Sequence, residues 1–321
     1  MELRPLGKTD LRISPVALGC WPIAGLTSPG VTDENSIATI RACFDLGVNH
    51  LDTAHMYGTT GESERLIARA LGSRRDEIVL ATKGGLYLDP KGKRHHDASP
   101  AMLRRQCEES LQRLGTDRVE LLYLHAPDPN VPLAESAGAL RRLLEEGKTR
   151  AVGVSNVTLR QLETFAAECP LAAYQPHYNM LQREIEADTL SWCREHDVAV
   201  VVYWALLKGL LAGRIERDHV FAETDSRRKY AMFHGEEWQK NHDLVDELRE
   251  IAKDCGHTVA DLVINWTIHQ PGITAALCGA KRPEQIRETA GAMNWTLGEE
   301  HSTAIDRALA RRGTPQTEMP I

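Results

Sequence analysis

Eight short apolar runs, each followed by a stretch with helical spacing, divide this chain of 321 residues. That alternation limits its possible folds more than any other feature. The runs lie at 16–20, 49–53, 78–83, 119–125, 150–156, 172–175, 198–204 and 273–278. Between them, apolar residues recur at helical intervals over 34–45, 62–71, 99–114, 133–146, 158–167, 183–196, 238–254, 259–269 and 283–293. Asp33 precedes the first of these as a cap, Ser99-Pro100 opens the third as cap plus proline, and Gly147 stops the fourth. Strands that alternate with helices are joined by crossovers and run parallel. Eight such units match a (β/α)8 TIM barrel, typically about 250 residues. We therefore expect residues 1–321 to form one barrel domain. The surplus falls in an N-terminal β-hairpin around Gly7-Lys8-Thr9-Asp10, in long βα loops at 84–97 and 205–237 on the C-terminal face, and in the tail after Trp295. A doubly wound sheet is the alternative, but no strand here leads into Gly-x-Gly-x-x-Gly.

Composition excludes several classes. The chain is 42% hydrophobic and 26% charged with a formal net charge of −7, a balance that suits a soluble globular protein and disfavours nucleic-acid or anionic-membrane binding. No apolar run approaches the roughly 20 residues of a membrane span, and residues 1–14 lack the apolar core of an export signal. The seven cysteines are scattered, with no Cys-x-x-Cys pair. They read as free thiols of a reducing cytoplasm, with no metal site.

In a barrel of this kind the active site forms where the strands end. Those ends carry Asp52, Lys83, His125, Asn156, Gln175 and Tyr203, and Tyr57 follows Asp52 in the next loop. A lysine or histidine at a single strand end is usually structural; the set converging on one mouth is not. An ordinary tyrosine, with a pKa of about 10, donates protons poorly at neutral pH. A nearby ammonium should lower that value, and a carboxylate should hold the ammonium in place. Asp52, Lys83 and Tyr57 thus read as a tuned acid, with His125 orienting a carbonyl or sharing the proton. No activated serine or cysteine nucleophile is apparent, so the set suits protonation of an alkoxide formed by hydride arrival.

The chain resembles the aldo-keto reductases from end to end. The residues that carry the resemblance run from Gly47 to Tyr57 with Gly61-Glu62-Ser63-Glu64, then Ala81-Thr82-Lys83, Leu122-Tyr123-Leu124-His125 and Gly153-Val154-Ser155-Asn156. They continue with Tyr203 ahead of Gly209-Leu210-Leu211-Ala212-Gly213-Arg214, and end with Gly279-Ala280-Lys281-Arg282-Pro283-Glu284-Gln285. The resemblance implies NADPH-dependent reduction of an aldehyde or ketone through a tetrad of Asp52, Tyr57, Lys83 and His125, with Tyr57 as general acid. It implies that Ser155, Asn156 and Gln175 hold the nicotinamide carboxamide and that Tyr203 stacks on the ring. Leu206, Lys208, Gly209, Leu211 and Arg214 would wrap the pyrophosphate. Gly279, Lys281, Arg282 and Gln285 would meet the 2′-phosphate at a helix N-terminus, and Glu288 the adenine. NADP(H) is preferred, with NAD(H) open. Trp204 and Ala205 stand where the family commonly has serine and proline; Cys278 and Thr289 replace a frequent proline and asparagine.

Trp21 and Met56 are candidates for the pocket wall, and His95-His96 lie in the third βα loop. Arg227 to Tyr230 is a segment that can close over a cofactor. The alternatives are a nucleotide-sensing binding protein on the same barrel, with little turnover, and a lyase in which Lys83 forms a Schiff base. The partner expected is a small carbonyl compound. Its identity, the physiological direction and the oligomeric state are not encoded in any motif.

Overall fold

A computed structural model describes residues 2–25 and 30–317. β1 (Arg4–Pro5) and β2 (Arg12–Ile13) pair antiparallel as the expected hairpin. Its apolar residues Leu6, Leu11 and Ile13 are buried in one cluster with Ala17, Ala173, Ala199 and Ala275 of the barrel strands. The hairpin therefore plugs the end of the barrel where the strands begin.

The barrel strands follow in order: β3 (Val16–Gly19), β4 (His50–Asp52) and β5 (Val79–Gly84). A second hairpin comes next, β6 (Leu86–Leu88) with β7 (Arg94–His96), within the loop at 84–97. The barrel resumes with β8 (Val119–Leu124), β9 (Thr149–Ser155), β10 (Ala173–Gln175), β11 (Ala199–Val202) and β12 (Ala275–Gly279). β12 pairs parallel with β3, and the sheet closes. The interior is filled by inward side chains of alternate positions, alanines such as Ala81 and Ala151 beside larger Leu121, Tyr123 and Leu277, as closure around eight strands requires.

Helices α1 (Asp33–Asp45), α2 (Glu62–Leu71), α3 (Pro100–Leu114), α4 (Leu133–Glu145) and α5 (Leu159–Glu168) cover the first strands. α6 (Thr189–Glu195), α7 (Gly235–Asp254), α8 (Val259–Ile268) and α9 (Pro283–Gly291) complete the ring. Ser99 caps α3 by accepting from Met102 N–H at 3.3 Å ahead of Pro100, as expected. Such a cap contributes about 1 kcal/mol.

Three details differ from the sequence reading. Thr32, not Asp33, caps α1: its hydroxyl accepts from Asn35 N–H, and Asp33 is the first helical residue. The helix expected over 183–196 is split. Glu186 turns back to Arg183 and the Tyr178 hydroxyl, and Asp188 leaves helical geometry at φ −151°, so only α6 remains. The tail after Trp295 forms α10 (Glu299–Arg312), in which Arg312 bonds Asn241 and pairs with Glu237 of α7.

One glycine shows how the interior dictates sequence. A Cβ on Gly153 of β9 would stand 2.3 Å from the ring of Tyr123 on β8. Among the described residues no helix is long and apolar enough to cross a membrane, and all seven cysteines are free.

Candidate active site

β4 ends at Asp52, which registers against Ala81 of β5. Lys83 lies two residues beyond Ala81, so both point into the barrel and the lysine stem rises toward the carboxylate. Lys83 Nζ forms an ion pair with Asp52 Oδ1 and donates to Thr53 O at 2.8 Å. Both side chains are 1% exposed. The other carboxylate oxygen accepts from Gln175 Nε2 at 2.8 Å. Burial lowers the Lys83 pKa, and the charge and hydrogen bond of Asp52 work against that. A buried pair of this kind persists because its remaining hydrogen-bonding capacity is also satisfied.

The loop after β4 carries Tyr57 back over this pair, with Lys83 Nζ 5.1 Å from the ring centroid. Tyr57 N–H donates to Ala54 O at 2.9 Å, and Ser63 N–H donates to Tyr57 O at 3.2 Å. Gly58 has φ 109°, and a Cβ there would meet Glu62 Oε2 at 1.9 Å. Glu62 folds inward to accept from Thr60 N–H and from the Thr59 and Thr60 hydroxyls. The phenol is therefore placed by a turn that needs glycine and by a carboxylate that ties the turn.

Trp21 stands edge-on to Tyr57 with centroids 5.0 Å apart, and His125 is also edge-on to it at 5.9 Å. Met56 is buried with Ala54, Leu86 and Ala126, and Trp21, Tyr57 and Leu88 pack on them. Both pocket candidates thus lie on one apolar wall beside the phenol.

The protonation picture corrects one expectation. The Tyr57 pKa is raised, not lowered: burial dominates, and the charge of Asp52 adds to it. Lys83 is paired with Asp52 and is not among the charges that shift the phenol, which leaves desolvation to decide. Burial also holds His125 well below its ordinary value, with the charge of Lys83 next and those of Arg94 and His96 assisting. At neutral pH the mouth presents a protonated phenol and a neutral imidazole. His125 Nδ1 has no partner among the described residues.

The next strand ends form a connected rim. Ser155 donates its hydroxyl to Gln175 O at 2.7 Å. Asn156 Nδ2 donates to His125 O at 2.9 Å, and Asn156 Oδ1 accepts from the Tyr203 hydroxyl at 2.7 Å. Asn156 itself is left-handed, φ 59°.

Beyond Tyr203 the backbone is strained. Trp204, Leu207 and Lys208 all have left-handed φ of 61°, 43° and 51°, with Gly209 at 96°. Each non-glycine outlier costs about 1–3 kcal/mol, and strain of this kind clusters at ligand-binding segments. Lys208 Nζ lies over the rings of Trp204 and Tyr230 at 4.2 and 4.7 Å, so the family departure at Trp204 is used to seat a lysine. Burial, with Arg227 next, brings Lys208 down to about 8. Burial also lowers Lys281, helped by Arg227 and Arg282. These cations crowd one another, a field that an anion would relieve. Arg227 is held by Asp225 and also donates to Lys208 O.

α9 begins beside this cluster, and its N-cap Arg282 makes no side-chain cap. Gln285 reaches back to accept from Lys281 N–H at 2.8 Å. Gly279 closes β12 against Pro22, where a Cβ would lie at 3.0 Å. Glu288 pairs with Arg214 at 2.6 Å across the cleft. The strained turn, the uncapped helix and the crowded cations together fit a dinucleotide with phosphates at its centre and end. Leu211 does not face this region through its side chain: it is fully buried, and its N–H is used on Leu206 O.

Sequence reasoning missed two partners. Thr53 O holds Lys83, a main-chain role that carries no residue signature. Arg94 reaches the mouth through the β6–β7 hairpin; the alternation of a hairpin within 84–97 was the available signal. His95 turns away from the site, stacked on Tyr87 and bonded to Asp89 at 3.0 Å.

Comparison with known proteins bears on the family and the fold. Residues 15–310 match the sequence pattern described as "Aldo/keto reductase family". The chain is similar to the "Aldo-keto reductase YhdN" of Bacillus subtilis (strain 168), 35% identical over 312 residues, covering 96% of this chain and 94% of that protein. It is similar also to the "NADH-specific methylglyoxal reductase" of Escherichia coli (strain K12), 31% identical over 320 residues, covering 95% and 97%. Among solved structures, the glycerol dehydrogenase AKR11B4 from Gluconobacter oxydans superposes with a TM-score of 0.90 at 36% identity, covering 99% of this chain and 98% of that one.

Proposed function

The chain belongs to the aldo/keto reductase family and is an oxidoreductase on a (β/α)8 barrel; on that premise we propose that it reduces an aldehyde or ketone to an alcohol, with Tyr57 as the general acid. The observation that carries the proposal is the buried Asp52–Lys83 pair under a Tyr57 that stays protonated, beside a neutral His125. Bound NADPH would supply the hydride to the carbonyl carbon.

The chain's own residues do the rest. His125, kept neutral, hydrogen-bonds the carbonyl oxygen and aims it at the Tyr57 hydroxyl. Tyr57 gives its proton as negative charge grows on that oxygen, and the ammonium of Lys83 stabilises the phenolate left behind. Asp52, held by Gln175, fixes Lys83 in that place. Lys83 is thereby committed to two acceptors, which sets it as an electrostatic partner and not as a Schiff-base nucleophile. Ser155, Asn156 and Gln175 would hold the carboxamide and Tyr203 the ring. Lys208, Gly209 and Arg214 would meet the pyrophosphate, and Lys281 and Arg282 the 2′-phosphate.

The last pair supports NADPH over NADH. A relative named as NADH-specific shows that the family also contains the opposite preference. The free thiols, six of the seven buried, fit a reducing, cytoplasmic setting.

Tyr57→Phe tests the reading. Turnover of any accepted carbonyl should fall by about 100-fold or more, while quenching of NADPH fluorescence on binding stays intact. Unchanged turnover would remove Tyr57 from the chemistry.

A further inference from the structure

The β6–β7 hairpin sorts its residues between two faces. Leu88 is directly opposite Arg94, Leu86 opposite His96, and Tyr87 opposite His95. Directly opposed residues of an antiparallel pair project to the same side. Leu86 and Leu88 pack with Ala54, Met56, Trp21 and Tyr57, so their cross-strand partners Arg94 and His96 also face the mouth. His96 is anchored to Pro127 O at 3.1 Å. Arg94 forms no hydrogen bond or ion pair with any of the described residues. Its charge nevertheless acts across the mouth on His125, Tyr203 and Tyr230.

Arg94 is exposed to solvent at the edge of this apolar wall, so its guanidinium is free to meet a ligand there. Near the phenol, Lys83 is paired with Asp52 and His125 is neutral, so neither offers a free positive charge to a ligand. In a chain of net charge −7, an anion is repelled by the surface as a whole and needs a local cation to enter.

We propose that Arg94 determines substrate specificity, selecting carbonyl compounds that carry an anionic group, a carboxylate or a phosphate, a few atoms from the carbonyl carbon. This deepens the reductase reading and rests on it. The carbonyl end meets Tyr57 and His125, the stem lies along Trp21 and Leu88, and the anionic end meets the planar fork of Arg94, which suits both oxyanions.

The test compares 4-oxobutanoate with its neutral methyl ester, and glyceraldehyde 3-phosphate with glyceraldehyde. The wild type should favour at least one anionic member by about tenfold or more in kcat/KM, and added salt should erode that preference. Arg94→Gln should abolish the preference by raising KM for the anionic member alone, with the Kd for NADPH unchanged. Which pair shows the effect distinguishes carboxylate from phosphate. No preference in the wild type, an equal loss for both members, or weakened NADPH binding overturns the proposal. Binding of succinate and of inorganic phosphate to the NADP-loaded protein, measured by calorimetry, reads Arg94 without turnover. Wild-type binding of either anion that is lost in Arg94→Gln supports the site even if no carbonyl is reduced, an outcome that would fail the reductase reading alone. Absence of binding, or binding equal in the variant, overturns the site.

Discussion

Gln175 Nε2 donates to Asp52 Oδ2 at 2.8 Å while Lys83 takes the other oxygen of the same carboxylate. An amide from β10 and an ammonium from β5 thus hold one acid at the end of β4. Both oxygens of a fully buried carboxylate are satisfied by strands that come later in the chain.

Breaking that arrangement on one side should be severe. Lys83→Met leaves Asp52 buried and unpaired, and should destabilise the fold by about 3–5 kcal/mol. The double variant Lys83→Met/Asp52→Leu should recover a good part of the loss. Urea unfolding of the two variants measures the difference, and equal stability of both would contradict a buried ionised pair.

Acid should unfold this protein through histidines that the fold keeps neutral. Burial lowers the folded pKa of His125, His50 and His55, whereas the unfolded imidazoles take up protons near about 6.5. Between those values the unfolded state holds the extra protons, so stability falls as pH drops below about 6.5. Replacing His125 with Asn should remove up to one proton, about 1.4 kcal/mol per pH unit, from that slope. Denaturant midpoints at pH 7, 6 and 5 read it out; an unchanged slope would place His125 in a solvated environment.

Gly153→Ala drives a methyl into the Tyr123 ring and toward Ala173 O at 3.0 Å. It should cost about 1–3 kcal/mol as an overpacked core position. In a Tyr123→Leu background the cost should shrink, and a double-mutant cycle measures the coupling. Additive losses would mean that the ring is not what excludes the side chain.

Arg282→Ala and Lys281→Ala should each weaken NADPH by about tenfold, roughly 1.4 kcal/mol, and leave NADH nearly unchanged. Fluorescence titration with both nucleotides decides it. A parallel loss for NADH would assign these cations to the pyrophosphate instead.

Much of the barrel was legible because a strand buried on both faces is an uninterrupted apolar run, and the run stops where the backbone meets solvent. That is why Asp52, Lys83, His125 and Tyr203 could be placed at a common rim. α10 was not legible, because its docking depends on a few positions such as Ile305, Ala308 and Arg312 amid a charged sequence. The break at Asp188 was hidden too, since it follows from Glu186 turning to Tyr178, a partner that helical periodicity does not reveal.

The residue types at the strand ends, and hence the chemistry open to this protein, follow from the sequence by itself, since burial pattern and strand length depend on local order along the chain. What those groups do to one another was decided only by the tertiary structure. A lysine expected to lower the phenol's pKa is instead paired with Asp52, and burial raises that pKa. Arg94 faces the mouth while its neighbour His95 faces away, because a one-residue step along a strand reverses the side. Protonation and orientation depend on distances between distant segments, and closing the barrel sets those distances.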